Sequence, residues 1–275
     1  MKIYLFSLFL ILSTSQIISQ SKDVWFPSEL NIQPFRGNFL EPKTGFEQFF
    51  GKSQLRLNIG TSHDILHLIN ENTVFSVGAD LFTYTRLREE EHFHFPVDAV
   101  TYFFGLNAGY KVTSNNTDYG FRFRVSHISA HFADGHFDNS SKEWLNGQAP
   151  IVYSREFIEL FPFYEIGGFR TYLGLTYIFH VDPDYIGRGI FQTGFDYGFN
   201  CLANKAFTPF ITYDFKLMDI RKYSGSNIIG LGIKFGRYNS NGASLVLSYF
   251  AGKSVQGEYF DRNEKYTTLG INIDL

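Results

Sequence analysis

The sequence predicts an all-β chain: a single antiparallel transmembrane β-barrel of about twelve strands, preceded by a cleaved signal peptide. Three observations carry this expectation. Extended segments are joined by connections that alternate short and long to the last residue. Within the segments apolar and polar residues alternate with a period of two, and no stretch beyond the first twenty residues approaches the roughly 18 uninterrupted apolar residues of a membrane helix. Aromatic residues make up 19% of the chain while mean hydropathy stays slightly below zero, as suits a wall with lipid on one side and a polar lumen on the other.

Residues 1–20 read as a secretory signal, with Lys2 as the positive start, Ile3–Leu12 as the apolar region and small or polar residues from Ser13 to Ser19 before a cut near Gln20. The protein is thus expected to leave the cytoplasm by Sec-type export. With no later membrane helix, it can cross a membrane only as a closed barrel, which implies the bacterial outer membrane. The mature length of about 255 residues is enough for one such domain. Residues 21–50 form a lead-in broken by Pro27, Pro34 and Pro42, from which Glu47–Phe50 and its approach supply the first strand; residues 51–275 form the barrel. A formal net charge of −3 argues against a nucleic-acid partner. The one cysteine, Cys201, allows no intrachain disulfide and reads as a small packing residue or turn neighbour.

The elements follow in order. Leu55–Leu68 turns at Asn70-Glu71-Asn72 into Thr73–Leu87, and the charged stretch Glu89–His94 leads to Val97–Val112. A Ser114–Asn116 turn precedes Asp118–His131, and a long polar connection to Ala149 precedes Pro150–Ile166. Gly167-Gly168 turns the chain into Phe169–Val181, and a Pro/Gly-containing link opens Gly189–Asn200, which turns at Ala203–Lys205. Phe207–Met218, a loop at Asp219–Ser226, Asn227–Tyr238, the Asn239–Gly242 turn, Ala243–Ala251, the long Gly252–Glu264 connection and Lys265–Leu275 complete the chain. Short turns belong on the periplasmic side and long loops outside, and an even strand count puts both ends in the periplasm.

The two faces of the segments separate. Val100, Tyr102, Phe104, Leu106, Ala108 and Tyr110 share one face, opposed by Thr101, Gly105, Asn107 and Lys111; Ile229, Leu231, Ile233 and Phe235 oppose Gly230, Gly232, Lys234 and Gly236. The apolar rows are expected to meet lipid. A soluble sandwich or lipocalin-like barrel would need an apolar row facing inward as well, and none is present. The final strand sets Leu269, Ile271, Ile273 and Leu275 against Gly270, Asn272 and Asp274. It resembles the C-terminal recognition signal of outer-membrane barrels, with Leu275 in place of the usual aromatic residue, which implies the barrel assembly machinery as a partner.

One strand breaks its own pattern. The outward row Phe121, Phe123, Val125 continues as His127, Ser129 and His131, while Arg122, Arg124 and Ser126 suit a hydrated lumen. Loop parity makes this strand run outward, so His127 and Ser129 lie near the outer-leaflet interface, at the depth of a lipid's ester bonds. Residues i and i+2 of a strand share a face about 6.5–7 Å apart, within reach of a serine hydroxyl and an imidazole base. Pairing with the following strand brings Tyr153–Glu156 opposite His127, and there Glu156 is the outward carboxylate that would orient the imidazole. Alternatives for that role are Asp134, Asn139, Glu143 and Asn146 on the long connection, which could fold back or bind a calcium ion.

His127-Ile128-Ser129 resembles the strand-borne His-x-Ser of the outer-membrane phospholipase A and outer-membrane lipid A deacylase families. The resemblance implies Ser129 as nucleophile, His127 as base and Glu156 in the place of the acid, acting on outer-membrane lipid, with the oxyanion held by backbone N–H groups or a bound cation. In those enzymes an Asn-Gly type of continuation follows the serine, whereas Ala130-His131 follows it here. Over most of its length the chain instead resembles a family of bacterial proteins of unknown function. That similarity rests on Phe35-Arg36 with Glu41-Pro42, on Arg124–Asp134, on Tyr153-Ser154-Arg155-Glu156 and on Gly257-Glu258-Tyr259-Phe260.

Competing readings start from other residues. A non-enzymatic barrel, a small-solute channel or a structural protein, would line its lumen with Arg122, Arg124, Arg155, Asn107, Lys111 and Asp214. Surface adhesion would use the Phe132–Gln148 and Gly252–Glu264 loops. His92 and His94 after Glu89-Glu90-Glu91 read as a solvated charged loop rather than a metal site, and His180 with Asp182-Pro183-Asp184 reads as turn punctuation.

Overall fold

The computed structural model describes residues 22–200 and 206–274. The expected signal at 1–20, Cys201 and the Ala203–Lys205 turn lie outside the described residues. Twelve antiparallel strands close a barrel: β1 (Thr44–Phe49), β2 (Gln54–Asn70), β3 (Thr73–Arg88), β4 (Val97–Ser114), β5 (Thr117–Phe132), β6 (Tyr153–Ile166), β7 (Phe169–Asp182), β8 (Ile186–Gly198), β9 (Phe207–Ile220), β10 (Lys222–Phe235), β11 (Gly242–Lys253) and β12 (Asn263–Asp274). Each pairs with the next, and β12 pairs with β1, so the sheet has no free edge around its circumference at that level. β1 spans only six residues, and below it a short strand, Lys22–Trp25, pairs with Leu66–Ile69 of β2.

Alternation sets the two surfaces as the sequence predicts. Leu106, Ile229, Leu231 and Ile271 stand exposed on the outside, whereas Arg122, Arg124, Arg155, Asn107 and Asp214 are buried inside and Lys111 is half-buried. One expected loop is absent. β9 and β10 stay paired up to Ile220 opposite Lys222, with Arg221 alone between them, so Asp219–Ser226 is a hairpin rather than a loop. Arg221 takes a left-handed φ of 61° and its guanidinium lies 4.5 Å from the Tyr185 ring.

The lead-in, expected to be loose, instead fills the lumen. Phe35 is wholly buried, its ring 4.5 Å from that of Tyr172 and 5.5 Å from that of Phe161. Arg170 donates to the carbonyls of Gln33 and Pro34 at 2.8 and 2.5 Å and pairs with Asp196. Glu41 receives both Arg122 terminal nitrogens, one at 2.8 Å, and the amide of Asn38 at 2.9 Å. At Gly37 an added Cβ would lie 2.9 Å from the Tyr213 carbonyl oxygen, so the segment passes the β9 wall at a distance only glycine permits. The physical cause is charge: a wall that turns arginines inward must find carboxylates inside, and this segment carries one of them.

The opposite mouth is closed by the connection 254–262, which turns inward. Glu258 accepts the amides of Phe132 and Ile151 at 3.2 and 3.3 Å. The Tyr259 hydroxyl donates to Asp98 at 2.8 Å, and His136 joins the same carboxylate at 2.7 Å. At Gly257 a Cβ would lie 2.4 Å from that of Ala130, which explains a glycine where the connection crosses β5. One of the two loops considered for adhesion is therefore committed to the barrel's own mouth.

Burial disfavours the charge of Glu41, but the Arg122 and Arg124 guanidiniums outweigh it and hold the carboxyl down to about 2. Its folded pKa lies below its unfolded value, so its contribution to stability is complete above about pH 4.3 and fades as pH falls toward 2. Glu41→Gln should lower stability by roughly 3–5 kcal/mol, because it strands a buried guanidinium. The urea midpoint, read from heat-modifiable gel migration, should drop in this variant and lose much of its dependence on pH between 4 and 2.

Candidate functional site

Outer-facing polar side chains gather where β5, β6 and β7 approach the mouth with the long connections. In the β5–β6 ladder His127 stands opposite Glu156 and Ser129 opposite Ser154. Opposed residues share a face, so the four side chains form a square on the outer surface, each half-buried. His127 Nδ1 lies 2.5 Å from Glu156 Oε1. A carboxylate only accepts, so this nitrogen carries the proton and Nε2 is left with its lone pair. The Phe104 ring, on β4 directly opposite, lies 4.8 Å from the imidazole and limits its tilt.

A third strand contributes a residue that sequence reading treated as turn punctuation. β7 carries a bulge between Ile178 and His180, so Ile178 pairs with Phe157 and His180 with Glu156. The extra residue cancels one step of alternation. Phe179 and His180 both face outward, and Val181 returns to the interior. His180 Nδ1 then lies 2.5 Å from Glu156 Oε2, and Ser154 Oγ donates to Oε1 at 3.1 Å. Glu156 therefore holds two imidazoles, one on each oxygen. A strict period of two places His180 inside the lumen, which is why periodicity missed it; the Pro183 that follows was the available sign of irregular backbone.

Ser129 is outward and half-buried, and among the described residues neither its hydroxyl nor His127 Nε2 has a hydrogen-bond partner. His131 is exposed, its ring 6.1 Å from Tyr102, and takes no part in the cluster. The long connection supplies no partner for His127: Asp134 binds the amide of Gly135, and Glu143 sits in a two-residue hairpin opposite Asp138. Among the described residues no group of three or more His, Cys, Asp or Glu side chains is arranged to hold a metal ion, and this includes Asp134 and Glu143.

Chemically the arrangement offers an oriented base, a free hydroxyl two residues along the same face and an acid to stabilise the base once protonated, all open to the outside of the wall. Of three comparisons of the chain with known proteins, two find matches. A family model described as "Protein of unknown function (DUF1207)" matches residues 96–274, which hold β5 to β7 and the inward-turned connection. No curated protein matches the chain. Among solved structures, outer membrane phospholipase A from Escherichia coli superposes with a TM-score of 0.55 at 11% identity, covering 90% of this chain and 95% of that chain. An active-site mutant of the same enzyme gives 0.53 at 13% identity with the same coverage. At such identities the likeness is one of fold.

The shared carboxylate is open to direct test. In protein with labelled histidine, proton NMR should show two strongly deshielded Nδ1–H signals. Glu156→Gln should remove both, whereas His180→Gln should remove one and leave the other.

Proposed function

Because the chain belongs to the DUF1207 family, whose members carry no assigned activity, we propose from the wall site itself that the protein is an outer-membrane hydrolase of acyl esters in outer-leaflet lipid. The observation that carries the reading is the Glu156–His127 pair on the outer face of the barrel, where burying a carboxylate against lipid needs a return. A headgroup or packing role would need polarity but not a base with its second nitrogen free beside an unpartnered hydroxyl.

In this reading Ser129 Oγ attacks the ester carbonyl while His127 Nε2 takes its proton. Glu156 keeps the Nδ1 proton and steadies the imidazolium. The tetrahedral intermediate then collapses: the bond to the lipid alcohol breaks, the alcohol departs with the proton from Nε2, and the acyl group stays esterified to Ser129. Water then repeats the sequence with His127 as base, releasing a fatty acid and restoring the hydroxyl. His180, on the other carboxylate oxygen, would hold Glu156 in the rotamer that serves His127. A small-solute channel is the other class; the lumen filled by residues 31–43 and the inward-turned 254–262 connection weigh against it.

Ser129→Ala should reduce release of fatty acid from lipid in mixed micelles by at least about a thousandfold while leaving heat-modifiable migration unchanged. Glu156→Gln should cost roughly 10²–10⁴-fold in kcat, as loss of the orienting acid does in other triads. Undiminished turnover by the serine variant would end the proposal.

A further inference from the structure

Inside the barrel, away from the wall site, lies a second built feature. Between the N-terminal segment and the wall of β10, β11, β12 and β1 the lumen keeps a cavity of about 140 Å³, reaching from Ser240 and Asn241 at the short-turn end to the level of Phe250 and Tyr266. A cavity of about this size accommodates a six-membered ring.

Its polar lining falls into two sets. The charges are mostly closed among themselves: Arg36 with Asp274 at 3.2 Å and Arg56 with Glu47, and Asp274 is also held by Lys234 from outside the lining. The neutral groups are not. Ser244, 1% exposed, has no hydrogen-bond partner for its hydroxyl, and Asn272 Oδ1 has none, though both line the cavity. Unmade hydrogen bonds at buried groups cost about 1–3 kcal/mol each, so two around one space indicate a ligand that makes them. Lys43 adds donors: among the described residues its ammonium makes no ion pair and lies 4.9 Å from the Phe39 ring centre.

We propose that this cavity binds an uncharged, hydroxyl-rich ring of monosaccharide size. A sugar hydroxyl both donates and accepts, as Asn272 Oδ1, the Ser244 hydroxyl and the Lys43 ammonium together require. The rings of Phe210, Phe250 and Tyr266 supply apolar surface for its C–H faces. An anionic ligand is disfavoured because Glu41 and Glu47 already stand beside Lys43, and a cation would meet Arg36 and Arg56. With the far mouth closed, the cavity is a dead-end pocket entered from the short-turn side, not a conduit.

Saturation-transfer NMR on the refolded full-length barrel in detergent tests this, with D-glucose, acetate and inorganic phosphate as probes. Glucose should give a saturable signal and the two anions none. Combined Ser244→Ala and Asn272→Leu should weaken glucose binding by about tenfold or more, and Ser244→Ala alone by about fivefold, as expected for one lost hydrogen bond. Heat-modifiable migration checks that each variant is folded. The proposal is overturned by no saturable glucose signal from the wild-type protein, by equal affinity in the folded variants, or by acetate or phosphate binding in preference to glucose.

Discussion

Closure of the ladder leaves no strand edge with unpaired amides and carbonyls around the barrel, and the rest of the structure depends on that constraint. In this barrel the junction is the six-residue strand β1, which joins β12 to β2. Once the ladder closes, alternation has no freedom left. Each arginine that cannot face lipid must face inward, and each inward arginine needs a counter-charge within a lumen of limited width.

The N-terminal segment answers that need. Phe35 fills the space among Phe161, Phe163 and Tyr172, and Glu41 meets Arg122. Glu159 answers Arg124 from the wall itself at 2.6 Å. At the other mouth Glu258 ties the inward connection to Phe132 of β5 and to Ile151 just before β6, and Tyr259 ties it to Asp98 of β4. A barrel filled in this way is a rigid platform, and chemistry on such a platform is placed either on its outer surface or in the space the filling leaves.

Both possibilities are present. On the outside, a lone carboxylate would be expensive against lipid, and Glu156 is not alone: two imidazoles and a serine hydroxyl satisfy its oxygens. The cluster depends on one bulge in β7, a local irregularity of the kind that re-aims side chains next to functional sites. On the inside, self-contained ion pairs surround a cavity whose neutral groups are left to an occupant. The likeness to outer membrane phospholipase A speaks to the scaffold alone.

The sequence by itself determined the closed antiparallel barrel, the inward arginines and the outward facing of His127, Ser129 and Glu156, because a period of two and loop parity are local properties of a strand. It also brought Glu156 near His127, since hairpin partners are linked by one connection. Only the tertiary structure decided the rest. His180 joined the site through a bulge, which cancels the period from which sequence reasoning starts. The fate of residues 31–43 depended on contacts more than eighty positions apart, such as Glu41 with Arg122 and Arg36 with Asp274, and no local pattern records a partner that distant. The Asp219–Ser226 stretch reads as a loop by its polarity, yet it is strand, because its backbone groups pair across the hairpin from Lys216 opposite Ser226 to Ile220 opposite Lys222, and side-chain polarity does not report that pairing.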